Sequence, residues 1–440
     1  MKTLAILRQS LLVPLRITPL LILMAIPAQA QTGQTGNFRL AAIKFSGLNK
    51  FSEKQAIAGS GLHIGDPIAT AQLSSAANQL AKSGAFEEVA FEYSTRGNEL
   101  TAIFKVVEST HLLPCIFDNF VWFSDEQLDR TLRSRVPFYA GIAPLSGDTQ
   151  QQIVDALRGL LQSNGITADV QAIPFARMGG RIEGIVFRVL NVPMPIKTVS
   201  FPGSAAISEK DLQAAASQAI GQNFSATNMT EFAAVGLVPL YRQQGYLRAA
   251  FDRPQWAIIG SPANGSAPDV ALTLPVKEGA QYFWDKADWS GNRQLTVEQL
   301  EQALGMKHGE IANQQKIDDG FKTIHKSYDK LGYIDANIQP KAVLDDSKLL
   351  AAYEVAIEEN AQYHMGKVSF LGLPDAAVAQ LVASWQLKPA GVYDATYPME
   401  FLRKVASRKL FEMGMMNKKM NLTVQRVKEN ASVDVVVAFQ

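Results

Sequence analysis

Cysteine is nearly absent: Cys115 stands alone in 440 residues. A secreted domain held by disulfides carries several, so this chain must be stabilised by apolar cores. Cys115 sits in the apolar stretch "LPCIFDNF" and reads as a small buried hydrophobe rather than a nucleophile. Histidine is scarce too. His63, His111, His308, His325 and His364 are the full set, and none is spaced as in H-E-x-x-H or any zinc pattern. The chain has no G-x-S-x-G, no P-loop and no paired-carboxylate motif, so neither an enzyme nor a cofactor or metal site is expected. "GSGLHIG", Gly59 to Gly65, superficially suggests a phosphate loop, but its third glycine comes one place late and it reads as a loop between two helices. No stretch beyond the first thirty residues approaches the ~20 apolar residues of a membrane-spanning helix. No Lys/Arg cluster stands out, which makes nucleic acid and anionic lipid poor partner guesses.

The leader is distinct. Residues 1–30 carry Lys2, Arg8 and Arg16, an apolar core from Ile17 to Ile26, and the small-residue end Ala28-Gln29-Ala30. Those three parts describe a cleavable secretory signal. Without its three basic residues the chain holds 39 Lys/Arg against 41 Asp/Glu, close to neutral.

The rest is written in a period. Tyr282 and Tyr363, Gly291 and Gly372, and Gly84 and Gly165 are each 81 residues apart. Each period opens on a short strand ending in aromatic-x-Gly: Phe45-Ser46-Gly47, Phe201-Pro202-Gly203, Trp289-Ser290-Gly291 and Phe370-Leu371-Gly372. Helix starts follow at Ser52, Ser124, Ser208 and Thr296, each with Gln or Asp three residues on, as in a capping box. A second helix runs to Gly84, Gly165, Gly245, Gly332 or Gly414, where a left-handed glycine closes it. Two strands follow, with alternations such as Val89-Phe91-Tyr93, Ile185-Phe187-Val189 and Tyr353-Val355-Ile357 that predict one buried face and one wet face. The expected fold class is α+β: a tandem array of five small β-α-α-β-β domains, each with two helices on a three-stranded mixed sheet. Their boundaries are read as 38–109, 111–192, 195–279, 281–360 and 363–440.

The order β-α-α-β-β, the early aromatic-x-Gly, the late Gly-Tyr and "VKEG" (Val276 to Gly279) resemble polypeptide-transport-associated (POTRA) repeats, the periplasmic arms of outer-membrane protein assembly factors of the BamA and TamA type. The resemblance is clearest over Gln281 to Asn360. It is weakest in the second unit, where "FVWFSDEQL" has no glycine in its first turn. That family follows its repeats with a membrane β-barrel, and no barrel sequence follows here before Gln440.

The resemblance implies a periplasmic, exported protein associated with the outer membrane through a partner. Its partners would be unfolded outer-membrane proteins or a separate outer-membrane β-barrel subunit, with no nucleic acid and no span in the mature chain. It also implies that the second strand of each sheet is an exposed edge, to which a client segment adds itself through backbone hydrogen bonds. The candidate edges are placed just after the helix-closing glycines, at Leu247, Ala249 and Phe251, at Ile334, Ala336 and Ile338, and at Met416 and Met420. Tyr246 and Tyr333 are expected to fill the gap between helix and sheet, while Arg248, Lys418 and Lys419 resemble edge guards. The methionines of "EMGMMNKKM" suit core packing above all, with a copper site or a promiscuous apolar surface as the alternatives. A structural adaptor that docks a separate barrel or envelope complex is the alternative function.

Overall fold

The computed structural model describes residues 38–176, 180–260, 268–413 and 419–440. The leader at 1–30, Gly414 and Met416 therefore lie outside the described residues. The chain divides into two compact units, one ending at His111 with residues 146–148 added, the other comprising the remainder from Leu112.

The first unit has strand β1 (Phe38–Ser46), helix α1 (Glu53–Ser60), the two-residue strand β2 (Pro67–Ile68), helix α2 (Thr70–Lys82) and strands β3 (Phe86–Arg96) and β4 (Glu99–Glu108). The sheet order is β2-β1-β4-β3, with β4 parallel to β1 and antiparallel to β3. Leu40, Leu73, Leu80, Leu100 and Phe104 are fully buried between the helices and the sheet. The Ser52 capping box forms as read, and Gly61 closes α1 in the left-handed region.

The second unit repeats this order. Strands β5 (Leu112–Phe117), β6 (Ile142–Pro144), β7 (Asp169–Ala176) and β8 (Ile182–Leu190) form a sheet of order β6-β5-β8-β7, with helices α3 (Asp125–Arg135) and α4 (Asp148–Ser163). Strand β9 (Ile196–Ser200) is followed by α5 (Glu209–Ala216) and by α6 (Ala226–Phe232) and α7 (Val238–Gln243), which are joined through a π turn at Ala233–Leu237. Strands β10 (Ala250–Phe251), β11 (Gln255–Ile259), β12 (Asp269–Thr273) and β13 (Val276–Lys277) complete that stretch, with β10 paired to β13 and a sheet of order β11-β12-β9. Next come β14 (Phe283–Ser290), α8 (Val297–Leu304), α9 (Gln314–Lys330), β15 (Asn337–Asp345) and β16 (Leu350–Glu358), in sheet order β14-β16-β15. The last are β17 (His364–Leu371), α10 (Asp375–Ser384), α11 (Tyr397–Phe401), a π turn at Leu402–Ala406, α12 (Ser407–Glu412), β18 (Met420–Val427) and β19 (Ser432–Phe439), in order β17-β19-β18.

The alternation predicted for the strands is strictest in the central ones. In β19 Val433, Val435, Val437 and Phe439 are buried, and in β16 Ala351, Tyr353, Val355 and Ile357 are. A central strand has neighbours on both edges and helices on one face, so every second side chain is fully covered. One core runs continuously through the second and third sheets, from Phe117 to Val276, whereas the fourth and fifth sheets each have their own.

The aromatic-x-Gly turn has a steric cause. Gly47, Gly203, Gly291 and Gly372 all have positive φ, between 78° and 94°. A Cβ on any of them would lie 2.0–2.4 Å from a backbone carbonyl oxygen, at Val106, Val276, Ile357 and Phe439 respectively. Only glycine fits. The second stretch solves the same problem differently, because Asn119 replaces the glycine and clamps the matching residue, Val189. Its side chain accepts from the Val189 N–H at 2.8 Å and donates to the Val189 carbonyl at 3.0 Å.

Candidate functional site

In each of the five sheets of three or four strands, the strand next to last in sequence order sits at one rim, and no strand of the described residues pairs with its outer edge. The opposite rim is covered. Strands β2 and β6 cap it in the first two sheets. In the other three the loop between the helices does so, through bridges Pro195–Asn223, Phe283–Ile311 and His364–Val392. The unpaired backbone therefore gathers on β3, β7, β11, β15 and β18.

The geometry of β18 can be read in detail. Lys419 and Gln440 exchange both backbone bonds at 2.9 Å, which fixes the alternation of the antiparallel ladder. Asn421, Thr423, Gln425 and Val427 then bond inward to β19, and Met420, Leu422, Val424 and Arg426 turn their N–H and C=O outward. Leu422 belongs to the fifth core, so the side chains of this outward set stand on the helix side. There they border a groove of about 820 Å³ lined by Met399, Leu402, Arg403, Ser407, Met420 and Leu422.

The structure moves most of the sequence-derived edge residues. Leu247 and Ala249 lie before β10, and Phe251 is on β10, which pairs with β13 in a separate two-stranded sheet, so none of the three is on the open strand β11. Ala249 is buried in the core. Ile334 and Ala336 likewise precede β15, while Ile338 is on that strand but buried. Met420 begins β18 and is 43% exposed; Met416 lies outside the described residues. Tyr333 stacks edge-on to Tyr328 of α9, with ring centres 6.3 Å apart, and so fills the gap expected of it. Met413 packs on the fifth core.

The displaced residues form joints instead. Gly245 closes the α7 helix at φ 81°, and its carbonyl accepts the Tyr282 N–H at 2.8 Å. Gly332 closes α9 at the same φ and accepts the Tyr363 N–H at 2.8 Å. A Cβ on either glycine would meet the carbonyl of that tyrosine, at 2.8 and 2.6 Å. Gln281 donates to the Gln244 carbonyl and Gln362 to the Leu331 carbonyl, at 2.8 and 2.9 Å. Leu247 then packs on the fourth core and Ile334 on the fifth. The repeated Gly-Tyr therefore seats one sheet's helix on the first strand of the next.

Polar clamps complete the two joints with charges reversed. Arg248 and the Tyr282 hydroxyl both reach Asp346, at 2.8 and 2.6 Å. Hydrogen bonds from Tyr282, then Arg248, hold the Asp346 carboxyl below the ordinary carboxylate range. At the following joint the Tyr363 hydroxyl donates to Asp335 at 2.7 Å, and Arg426 pairs with the same carboxylate at 2.5 Å. Asp335 raises the Tyr363 hydroxyl's pKa first, and burial adds to it.

Between the second and third sheets the joint is a buried carboxylate. Asp118, fully buried, pairs with Arg188 at 2.7 Å and accepts the Thr227 N–H, the Thr227 hydroxyl and the Ser225 hydroxyl at 2.8–2.9 Å. It thus caps the start of α6, where free backbone donors favour an anion. A second cleft of about 480 Å³ lies between Trp122, Phe123 and Asp125 on one side and Arg253 and Trp256 on the other. Sequence reasoning missed Asp118 because its partners are 70 to 109 residues away.

Burial, then the charge of Asp129, pushes the Cys115 thiol up to about 12, so it stays protonated at neutral pH. His63 and His308 each face a carboxylate, Asp66 and Asp285, at 3.6 and 3.2 Å, but both histidines are at the surface. Among the described residues no group of three or more His, Cys, Asp or Glu is placed to hold a metal ion. Nor is any of their helices long and apolar enough to cross a membrane.

Small helix-on-sheet elements in series, each with one open strand edge, define a modular α+β protein. The POTRA family, described as a surface antigen variable number repeat, matches residues 282–360, the fourth sheet and its helices. Over that stretch the chain is similar to a POTRA repeat. A Treponema pallidum (strain Nichols) protein assigned as an outer membrane protein assembly factor is 22% identical over 171 residues, which are 39% of this chain and 20% of the other. The aligned region spans a fifth of that relative's length. Among solved structures, Haemophilus influenzae BamA POTRA3-5 is 18% identical with a TM-score of 0.41, covering 56% of this chain and 96% of that one. POTRA1-3 of Omp85 from Anabaena is 15% identical with a TM-score of 0.24, covering 57% and 96%.

Proposed function

We propose that the chain is an exported, periplasmic array of five POTRA domains, bounded at 38–109, 111–192, 195–279, 281–360 and 363–440. In this reading it serves outer-membrane protein assembly by binding extended polypeptide segments along its open sheet edges. The observation that carries the reading is the recurrence, in the five sheets of three or four strands, of one rim unpaired among the described residues on the next-to-last strand, with the opposite rim covered. Backbone groups left unpaired on a strand edge are a template for another strand. Pairing through the main chain demands little of the client's sequence, which suits a carrier of many different barrel proteins. Several weak edges on one arm also raise avidity through effective concentration. The POTRA match and the assembly-factor relative support the setting.

The edges are unequal. Pro174 in β7 and Pro340 in β15 stand mid-strand, where proline is tolerated only with its missing donor facing outward. Each therefore deletes a bond an added strand would use, leaving β3, β11 and β18 as the better templates. A photo-crosslinking residue at Tyr93, Ile259 or Val424 of the mature chain, all exposed, should capture an unfolded outer-membrane barrel protein. The same residue at Ile311 or Val392, on the covered rims, should not. Stable capture of one folded partner with no crosslink at any of the three edges would point to the adaptor reading instead.

A further inference from the structure

Charge is distributed unevenly along the chain. Residues 281–360 hold nine Lys/Arg and fourteen Asp/Glu, whereas residues 363–440 hold ten and six. The basic surplus of the last stretch sits beside its open edge. Arg403 lines the groove next to β18 and makes no ion pair among the described residues. The one acidic lining residue, Glu400, is neutralised by Lys404. Strand β18 itself, "MNLTVQRV", has neither a proline nor a carboxylate. The other long open edge without proline, β3, carries Glu87, Glu88 and Glu92, and β11 offers five residues only.

From these features we infer that β18 with its groove is the chain's principal docking edge, and that it selects extended segments with alternating apolar residues and acidic flanks. The inference rests on the edge-binding reading above and assigns it an address and a ligand chemistry. A segment laid antiparallel or parallel to β18 meets the outward N–H and C=O groups of Met420, Leu422, Val424 and Arg426. Its alternate side chains on the helix side then fall into the groove over Met399, Leu402 and Met420. Met399 and Met420 are 62% and 43% exposed, and flexible thioethers adapt to different apolar shapes. Carboxylates at the segment's ends meet Arg403 and Lys419, so attraction adds to the ladder and weakens with salt.

The test uses the full mature chain and two synthetic twelve-residue peptides. Both alternate valine with threonine; one is flanked by paired glutamates and the other by paired lysines, and each carries a fluorophore for anisotropy. The glutamate peptide should bind at least fivefold more tightly, with an advantage that shrinks as salt is raised. Val424→Pro removes one outward donor and leaves the inward ladder to β19 intact, as Pro340 does in β15, and should weaken binding about fivefold, in line with one hydrogen bond. Arg403→Glu should reverse the preference between the two peptides, and as an exposed change it keeps the test open if Val424→Pro misfolds. Equal affinity of both peptides, or binding unchanged in Val424→Pro with native exchange in β19, overturns the inference. Crosslinks at Tyr93 or Ile259 with none at Val424 would overturn it while leaving the edge-binding reading standing, whereas none at any edge would remove both.

Discussion

Replacing Gly291 by alanine tests the steric origin of the recurring turn, provided Gly305→Ala is measured beside it. Both glycines have left-handed backbones, with φ of 82° and 72°. An alanine pays about 1–2 kcal/mol to occupy that region, and recovers about 0.4–1 kcal/mol because it restricts the unfolded chain. That part is common to the two positions. Their surroundings differ: a Cβ at 305 meets nothing within 4 Å, while at 291 it lies 2.1 Å from the Ile357 carbonyl oxygen, far inside the 3.4 Å of ordinary contact. The β14 turn or the end of β16 must move by about 1 Å, and forced overpacking of this kind costs about 1–3 kcal/mol. Gly305→Ala should thus cost about 0–1.5 kcal/mol and Gly291→Ala about 1–4.5 kcal/mol, the gap being the overpacking cost. Hydrogen exchange read by mass spectrometry on peptides of 283–304 and 350–358 reports the local opening equilibrium without requiring two-state unfolding of the whole chain. The difference should appear as faster exchange in β14 and β16, tenfold for each ~1.4 kcal/mol. Equal effects of the two substitutions would refute the steric account and leave only the backbone conformation to explain the glycine.

Asn119→Ala breaks both bonds to the buried Val189 backbone and should destabilise the second sheet by about 2–4 kcal/mol, seen as lost protection in β8. At the Tyr282 joint, Arg248→Asp or Asp346→Arg alone should raise exchange at 281–284, and the two together should restore it; additive damage from the pair would refute a direct contact. The same joint should respond to acid. Because the folded-state pKa of Asp346 is depressed, its contribution is complete above about pH 4 and declines as pH falls through the lowered value, and Asp346→Asn should abolish that dependence.

What the sequence determined by itself was local. Capping boxes at Ser52, Ser124 and Thr296 formed as read, because donor and acceptor lie three residues apart on one chain segment. Glycines at helix ends and in the aromatic-x-Gly turn were equally legible, since positive φ is a property of a single residue. The alternation of β16 and β19 marked buried faces for the same reason. Tertiary structure decided what those pieces meet. The Gly-Tyr stretch looks like the start of a strand, yet residues 245–249 and 332–336 are used as joints, and β10 and β15 begin only after them. The two-residue strand β2, the buried Asp118 joint and the orientation of Pro174 and Pro340 escaped the sequence too. Each depends on a partner tens of residues away, whose register follows from packing and ladder alternation rather than from the order of neighbouring side chains. Which rim stays open is likewise a property of sheet order, and sheet order exists only once the strands have paired.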